Sequence, residues 1–337
     1  MASFALSGVS TELASRPIPG SPSLWRRAWY RTAGRQQRLE RPVISVGNLA
    51  AGGRGKTPVV EHLARMLAAA GERPAVLSRG YGRLDAPPGA VVVSDGANIL
   101  AGVELSGDEP LMLARALPGV PVVVSEDRRI AGALAERHLG ATVHLLDDGF
   151  QHLALWRDVD LVVLAPSDLW ARAFPFGPLR ESARALETAG ALLAEDGATL
   201  VRWPSIGAAR FTVTRSLQAP VSEGRRWAPT FGPVVAFAGI ARPQRFVDDL
   251  TAAGWTVTEA VTFPDHHRYR PRDVARVAAA VGRTDAAGIV TTAKDAVRLP
   301  AEVVWPAPIA VAALRASVEP ADAFRAWLLD RLAEARR

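Results

Sequence analysis

The sequence predicts two α/β/α domains: a larger N-terminal one on a parallel sheet with a phosphate-binding loop, and a smaller C-terminal one. Three observations predict this. From residue 43 onward, short β-branched apolar runs alternate with helical stretches, which indicates a parallel sheet covered on both faces. A glycine-rich loop lies between the first of those strands and the first helix. A Pro/Arg/Trp-rich stretch around 203–230 then separates off a second alternating set. The chain has 337 residues, enough for two domains. The expected division is a lead-in over 1–40, a P-loop domain over 41–225 and a smaller α/β domain over 226–337.

Taken in order, residues 1–23 are rich in Ser, Pro and Gly and read as a loose lead-in. Residues 24–39 read as a helix in which Trp25 and Trp29, four apart, share a face, with Arg27, Arg31 and Arg38 roughly opposite. Such a helix fits a lipid interface, and equally a surface helix packing its tryptophans on its own domain. Val43–Gly47 is the first strand, and Thr57–Ala70 is a helix with Pro58 in its first turn, where a missing N–H is tolerated. Further strands are expected at Pro74–Ser78, Ala90–Val93, Val122–Val124, Thr142–Asp147 and Asp160–Leu164. In the second set, strands are expected at Val234–Ile240, Trp255–Val261, Ile289–Thr292 and Ile309–Leu314. Helices are expected after Pro243, from Pro271, and over Pro320–Arg336.

Composition narrows the chemistry. There is no cysteine, which excludes disulfides and thiolate metal sites. The net charge of +6 suits nucleic acid, anionic lipid or phosphorylated small molecules without choosing among them. The arginines are spread along the chain with no aromatic-studded basic run outside 25–38, which argues against nucleic acid. No apolar run reaches the ~18 residues of a membrane-spanning helix. The start lacks the pattern of a secretory signal, so the cytoplasm is the expected compartment. Of the 40 Lys and Arg residues only Lys56 and Lys294 are lysine.

Lys56 closes the loop Gly47-Asn-Leu-Ala-Ala-Gly-Gly-Arg-Gly-Lys-Thr-Pro. The expected nucleotide-binding residues are Gly52, Gly53, Arg54, Gly55, Lys56, Thr57 and Pro58. The glycines let backbone N–H groups approach phosphate oxygens, and the helix start adds partial positive charge. Lys56, a compact ammonium on a flexible stem, is expected at the β/γ-phosphates, and the Thr57 hydroxyl on Mg²⁺. One departure stands out: the strict pattern wants glycine where this chain has Ala50, so the turn must rest on Gly52 and Gly53.

The strand Thr142–Asp147 ends in Asp147 and Asp148. An aspartate at the end of a strand near a phosphate loop completes a Mg²⁺ shell, and adjacent strand residues face opposite ways, so one of the two is expected to meet the metal directly. Asp108, before a helix at Leu111, is either a helix cap or a base for an acceptor hydroxyl. Asp265-His266-His267 in the second domain offers a histidine that binds metal, orients a base or caps a helix.

Together these segments resemble the tetraacyldisaccharide 4'-kinase family of lipid A synthesis. The resemblance runs from about residue 24 to 330. It rests on the loop above, Ser78-Arg-Gly-Tyr-Gly-Arg83, Gly107-Asp-Glu-Pro110, Asp127-Arg-Arg129 and Leu146-Asp-Asp-Gly-Phe-Gln-His152. It continues through Phe176-Gly-Pro-Leu-Arg-Glu181, Phe237-Ala-Gly-Ile240, Phe263-Pro-Asp-His266 and Thr292-Ala-Lys-Asp295. That family also lacks the first loop glycine, so Ala50 is no obstacle. The resemblance implies transfer of the γ-phosphate of ATP, with Mg²⁺, to the 4'-hydroxyl of a tetraacylated disaccharide 1-phosphate, giving lipid IVA. It implies a peripheral or monotopic enzyme on the cytoplasmic face of the inner membrane, with a cleft between two domains. It also implies that Asp108 works as a dyad with a histidine, His266 matching best and His267 next. A lipid acceptor favours the interfacial reading of residues 24–39. Arg128, Arg129 and Arg180 become candidates for the substrate's 1-phosphate or the ATP phosphates, with Glu181 orienting Arg180 or acting in the site. Lys294 either reaches nucleotide across the cleft or pairs with Asp295. No obligate protein partner is evident. The competing class is a P-loop switch or partitioning ATPase. Many of those carry a second lysine before the glycine pair, where this chain has Ala51.

Overall fold

The computed structural model describes Arg27, residues 29–30, 35–50, Gly52, 54–195, 207–300 and 303–337. The expectations for residues 1–23, Trp25, Arg31 and Gly53 lie outside the described residues.

The larger sheet is built from β1 (Val43–Asn48), β2 (Pro74–Ser78), β3 (Val91–Ser94), β4 (Val122–Val124) and β5 (Val143–Asp147). It also takes β6 (Val159–Leu164), β7 (Ala191–Ala194), β8 (Ala209–Leu217) and β15 (Leu314–Glu319). The strand order is β15-β8-β7-β6-β1-β5-β2-β4-β3, with the middle strands parallel and only β3 and β15 antiparallel to their neighbours. β1 is buried along its whole length, and its side chains alternate between two cores. Ile44 and Val46 face the helices α1 (Lys56–Ala69), α3 (Asp108–Ala116) and α8 (Ala321–Ala335), whereas Val43 faces α4 (Arg128–Leu139). This two-sided burial is why the strands read as continuous apolar runs. Removing one fully buried leucine such as Leu63 of α1 would cost about 2–5 kcal/mol.

The smaller sheet follows the order β10-β9-β14-β13-β11-β12. Its strands are β9 (Val221–Ser222), β10 (Arg225–Arg226), β11 (Val234–Ala238), β12 (Val257–Thr262), β13 (Gly288–Thr292) and β14 (Ile309–Ala312). Helices α5 (Pro243–Ala252) and α6 (Pro271–Thr284) cover its two faces, with Phe246 and Leu250 in one core and Val277 and Ala280 in the other.

The chain divides differently from the expected 41–225 and 226–337. The stretch around 203–230 is no plain junction, because β8 belongs to the larger sheet and β9–β10 to the smaller. The expected strand Ile309–Leu314 is two strands in different sheets, parted at Ala313. After Ala313 the chain returns, so β15 and α8 complete the first domain, with Phe324, Leu328 and Leu332 in its core. Periodicity marks a strand as half-buried, but it does not say which sheet the strand joins. The chain therefore crosses between domains twice, between Leu217 and Val221 and at Ala313.

Candidate active site

β1 lies between β5 and β6, at the centre of the larger sheet, and the loop after it opens at the carboxyl ends of the parallel strands. Ligands of open α/β sheets bind at that edge. Ala50, the departure from the strict loop, is fully buried and bridges to Leu179. Its methyl serves the core, and the loop turns later, with positive φ at Gly52 (97°) and Gly55 (70°).

Two arginines strap this loop. Arg54 pairs at 2.6 Å with Asp168, itself held by the Ala165 N–H. Arg215 of β8 donates to the Arg54 carbonyl at 2.5 Å and pairs with Glu195, which Arg245 of the second domain also approaches at 3.4 Å. Lys56, the first residue of α1, donates to Asn48 Oδ1 at 2.9 Å and lies 3.3 Å from Asp148.

The paired aspartates separate. Asp147 ends β5 and is buried, and its Oδ1 has no hydrogen-bond partner among the described residues. Burial and the nearby Glu109 charge push its carboxyl up to about 7, against a hydrogen bond from Thr57 and the Lys56 charge. Asp148 has left the strand, with φ of 57°, and pairs with Arg180 at 2.8 Å as well as Lys56. Burial acts upward on Asp148, but Lys56 and Arg180 hold it below the usual carboxylate range. The turn is pinned by Phe150, whose Cβ abuts Gly47 so closely that no larger residue fits there.

The substrate candidates fare unequally. Arg180 and Arg128 line the cleft. Arg128 is buried, its Nε has no partner among the described residues, and burial beside Arg79 brings its pKa down to about 10. His152 sits close by with Nε2 unpartnered in the same sense, lowered to about 3 by burial and the Arg128 charge. Arg129 is different: it folds onto Asp127 and reaches Gln37, away from the cleft lining. Glu181 does not orient Arg180. It is buried in a two-point pair with Arg27, at 2.6 and 3.2 Å. Arg27 is thus only 5% exposed and does not sit on a lipid-facing surface as expected. It also donates to the Phe150 carbonyl at 3.1 Å and stacks on that ring.

Across the cleft, Asp108 and His266 meet. Asp108 opens α3 after Gly107, whose φ of 82° and contact with the Tyr81 carbonyl (2.6 Å from a notional Cβ) leave no room for a side chain. Asp108 Oδ1 accepts from the neighbouring Glu109 N–H, while Oδ2 lies 2.8 Å from His266 Nδ1; the N-cap is Gly107, so the Asp108 side chain does not cap the helix. The buried Asp108 is drawn upward by desolvation. The His266 hydrogen bond and the Lys294, His266 and Arg298 charges outweigh this and hold it below its ordinary value. His266 moves the other way: its bond to Asp108 raises it, against burial and Lys294. His267 belongs to the packing, stacked on Phe263 and bonded to Asp273 at 3.0 Å.

Lys294 does not pair with Asp295. Asp295 is taken by Arg298 (2.6 Å), Tyr269 (2.7 Å) and the Gly239 N–H (2.9 Å). Lys294 instead lies 3.3 Å from each of Glu109, Asp265 and His266 Nε2. Both walls face one cleft of about 1850 Å³ that includes Lys56, Thr57, Asp147, Arg180, His266 and Lys294.

Sequence reasoning missed Asn48, Arg79, His152 and Arg298, although all but Arg298 lie inside motifs it singled out. Asn48 could have been found as the strand-end amide within reach of the loop lysine. Arg298 carried no signal beyond being one helical turn from Lys294.

A phosphate loop on one wall, with a carboxylate from that same domain paired across the cleft to an imidazole of the other, defines a P-loop phosphotransferase. The family model described as tetraacyldisaccharide-1-P 4'-kinase, LpxK, matches residues 21–333, and the chain belongs to that family. It is 38% identical over 322 residues to the tetraacyldisaccharide 4'-kinase of Syntrophus aciditrophicus, covering 88% of this chain and 86% of that protein. It is 44% identical over 286 residues to that of Anaeromyxobacter sp. strain Fw109-5, covering 78% and 75%. The crystal structure of an "apo" form of LpxK from Aquifex aeolicus in complex with ATP superposes with a TM-score of 0.76 at 30% identity, covering 92% of this chain and 94% of that one.

Proposed function

We propose that this chain transfers the γ-phosphate of ATP to the 4'-hydroxyl of a tetraacyldisaccharide 1-phosphate, forming lipid IVA. The observation that carries the reading is the meeting of Asp108 and His266, 158 positions apart, in the cleft that holds Lys56 and Thr57. Family membership supplies the acceptor, and the ATP complex of the Aquifex aeolicus protein supports the donor. A switch-type ATPase needs no such pair facing its loop.

The residues then divide the work. Backbone N–H groups of Gly52, Arg54, Gly55, Lys56 and Thr57 cradle the phosphates, and Lys56 leaves Asn48 and Asp148 for the β/γ-oxygens. Asp147, buried with an unpartnered oxygen beside the Thr57 hydroxyl, fits a divalent cation, so Thr57 and Asp147 would hold Mg²⁺. Asp148, already paired with Arg180, is the outer of the two acids. When bound, Mg²⁺ supplies charge neutralisation between phosphate oxygens. Among the described residues no group of three or more His, Cys, Asp or Glu is placed to hold a metal ion. On the acceptor side His266 is the cleft-facing member and Asp108 sits behind it, only 4% exposed. Asp108 orients the ring through Nδ1, and Nε2 takes the proton of the attacking hydroxyl. Arg128 and Arg180 offer guanidinium groups to anionic oxygens in the same cleft.

No helix among the described residues is long and apolar enough to cross a membrane. We place the enzyme peripherally at the cytoplasmic face of the inner membrane, where an acylated acceptor resides. Within the expected interfacial segment 24–39, Trp29 is 36% exposed, whereas residues 35–39 do not form the expected helix and Gln37 bridges Leu155. ADP release by purified protein with Mg²⁺, measured with and without the disaccharide 1-phosphate in detergent micelles, tests the function. Lipid-dependent release supports it, and lipid-independent hydrolysis alone would refute it.

A further inference from the structure

We propose that Lys294 is a positioning residue of the acceptor side: its ammonium, caged by Glu109 and Asp265, donates to Nε2 of His266 and favours the neutral ring whose single N–H, on Nδ1, goes to Asp108. The inference deepens the kinase reading and rests on it.

The geometry leaves few alternatives. An ammonium has three donors and no acceptor, so at 3.3 Å from Nε2 it requires a lone pair on that nitrogen. A ring protonated at Nε2 would set two donors face to face. The neutral ring carries one N–H, and Asp108 Oδ2, 2.8 Å from Nδ1, is the acceptor placed for it. Lys294 is held there by opposite charges on two elements: Glu109 of α3 at 3.3 Å, and Asp265 of the loop before α6 at 3.3 Å, with Asp108 at 4.0 Å. Burial acts to neutralise Lys294, but these carboxylates raise its pKa, so it stays charged.

Arg298 stands one helical turn further on and completes the support. It donates to the Lys294, His267 and Gly239 carbonyls, at 3.1, 3.1 and 2.9 Å. Its Nε is also 3.7 Å from Asp108, which favours the ionised carboxylate behind the ring.

The groups facing His266 are thus Asp108, Asp265 (Nε2 to Oδ2, 3.8 Å), Lys294 and the edge of the Tyr81 ring, 5.5 Å between centroids. The two carboxylates draw a second proton onto the ring and Lys294 opposes it. Without that opposition Asp108 would lock the ring as an imidazolium; in the neutral ring Lys294 holds the one Nε2 lone pair until an arriving acceptor hydroxyl takes its place. The composition of the chain agrees. It uses arginine for nearly every cation, yet keeps a point-like ammonium where a planar fork would not fit against one ring nitrogen.

The test is a ¹⁵N-histidine NMR titration of the full chain without substrate, the His266 signal being assigned by its loss in His266→Asn. Near pH 9 the wild-type ring should show the Nδ1–H tautomer. In Lys294→Gln the titration midpoint of His266 should rise by about one pH unit or more, and the acid limb of kcat/KM should rise with it, leaving the KM for ATP unchanged. Lys294→Arg should keep the midpoint within a few tenths of wild type while lowering kcat. An Nε2–H tautomer in the wild type, or an unmoved midpoint in Lys294→Gln, overturns the proposal. A wild-type Nε2–H tautomer overturns the proposal even if a variant fails to fold. Because the titration needs no substrate, its failure is distinct from a failure of the lipid kinase assay.

Discussion

Replacing Asp108 by Asn changes one charge and almost no volume, so its effects isolate the charge. The oxygen of the new carboxamide can still accept from the Glu109 N–H, so that local bond persists. The carboxamide nitrogen would point an N–H donor at His266 Nδ1, which in the wild type lies 2.8 Å from Oδ2. The ring then meets a donor at each nitrogen, the carboxamide at Nδ1 and Lys294 at Nε2, so the tautomer with its proton on Nδ1 and a lone pair on Nε2 is no longer favoured. Loss of general-base function costs about 10²–10⁴ in rate, which is about 2.7–5.5 kcal/mol of barrier. Stability should fall less, because Arg298 keeps Asp295 and three carbonyls and is not left as an orphan charge. A loss of about 1–3 kcal/mol is expected for the altered hydrogen bonding. ATP affinity should stay within about twofold, since Lys56 and Thr57 bind the phosphates without Asp108. Steady-state kinetics with saturating lipid, together with equilibrium ATP binding, separate these effects. A fall in kcat of less than about tenfold, or a parallel weakening of ATP binding, would refute the assigned role of Asp108.

The same geometry sets four further expectations. His266 has a raised pKa in the fold, so its linked stability is present below the ordinary value near 6.5 and lost as pH rises through the folded value. The melting difference between wild type and Asp108→Asn should therefore shrink from pH 6 to pH 9, and a constant difference would deny the linkage. Lys56→Met should lower kcat/KM by at least about a hundredfold with an unchanged circular dichroism spectrum. Arg27→Met leaves Glu181 buried and unpaired and should cost about 3–5 kcal/mol, whereas Arg27→Met with Glu181→Leu should recover much of it. Equal losses in both would show that the pair itself is not what matters. Asp147→Asn should weaken Mn²⁺ affinity measured by electron paramagnetic resonance far more than Asp148→Asn does, and the reverse order would exchange their roles.

Much of this was legible in the sequence because it is local. A strand, a glycine loop and a helix succeed one another within residues 43–70, and every one of those signals is read from neighbours. The same holds for Pro74–Ser78 and Val122–Val124, found at their observed bounds. What escaped depends on long-range partners. β15 and α8 look like a continuation of the second domain until their pairing with β8 is known. Arg27 reads as surface charge on a helix, yet Glu181, 154 positions away, buries it. Lys294 gains its meaning only from Glu109 and His266, which no spacing rule brings together.

Where the transferred phosphate goes decides between a lipid kinase and an ATPase, and ³¹P NMR of the isolated lipid product measures it directly. A lipid kinase gives a new phosphomonoester at the 4' position beside an unchanged 1-phosphate, in proportion to the ADP formed. Inorganic phosphate accumulating with ADP while the lipid stays unmodified would contradict it.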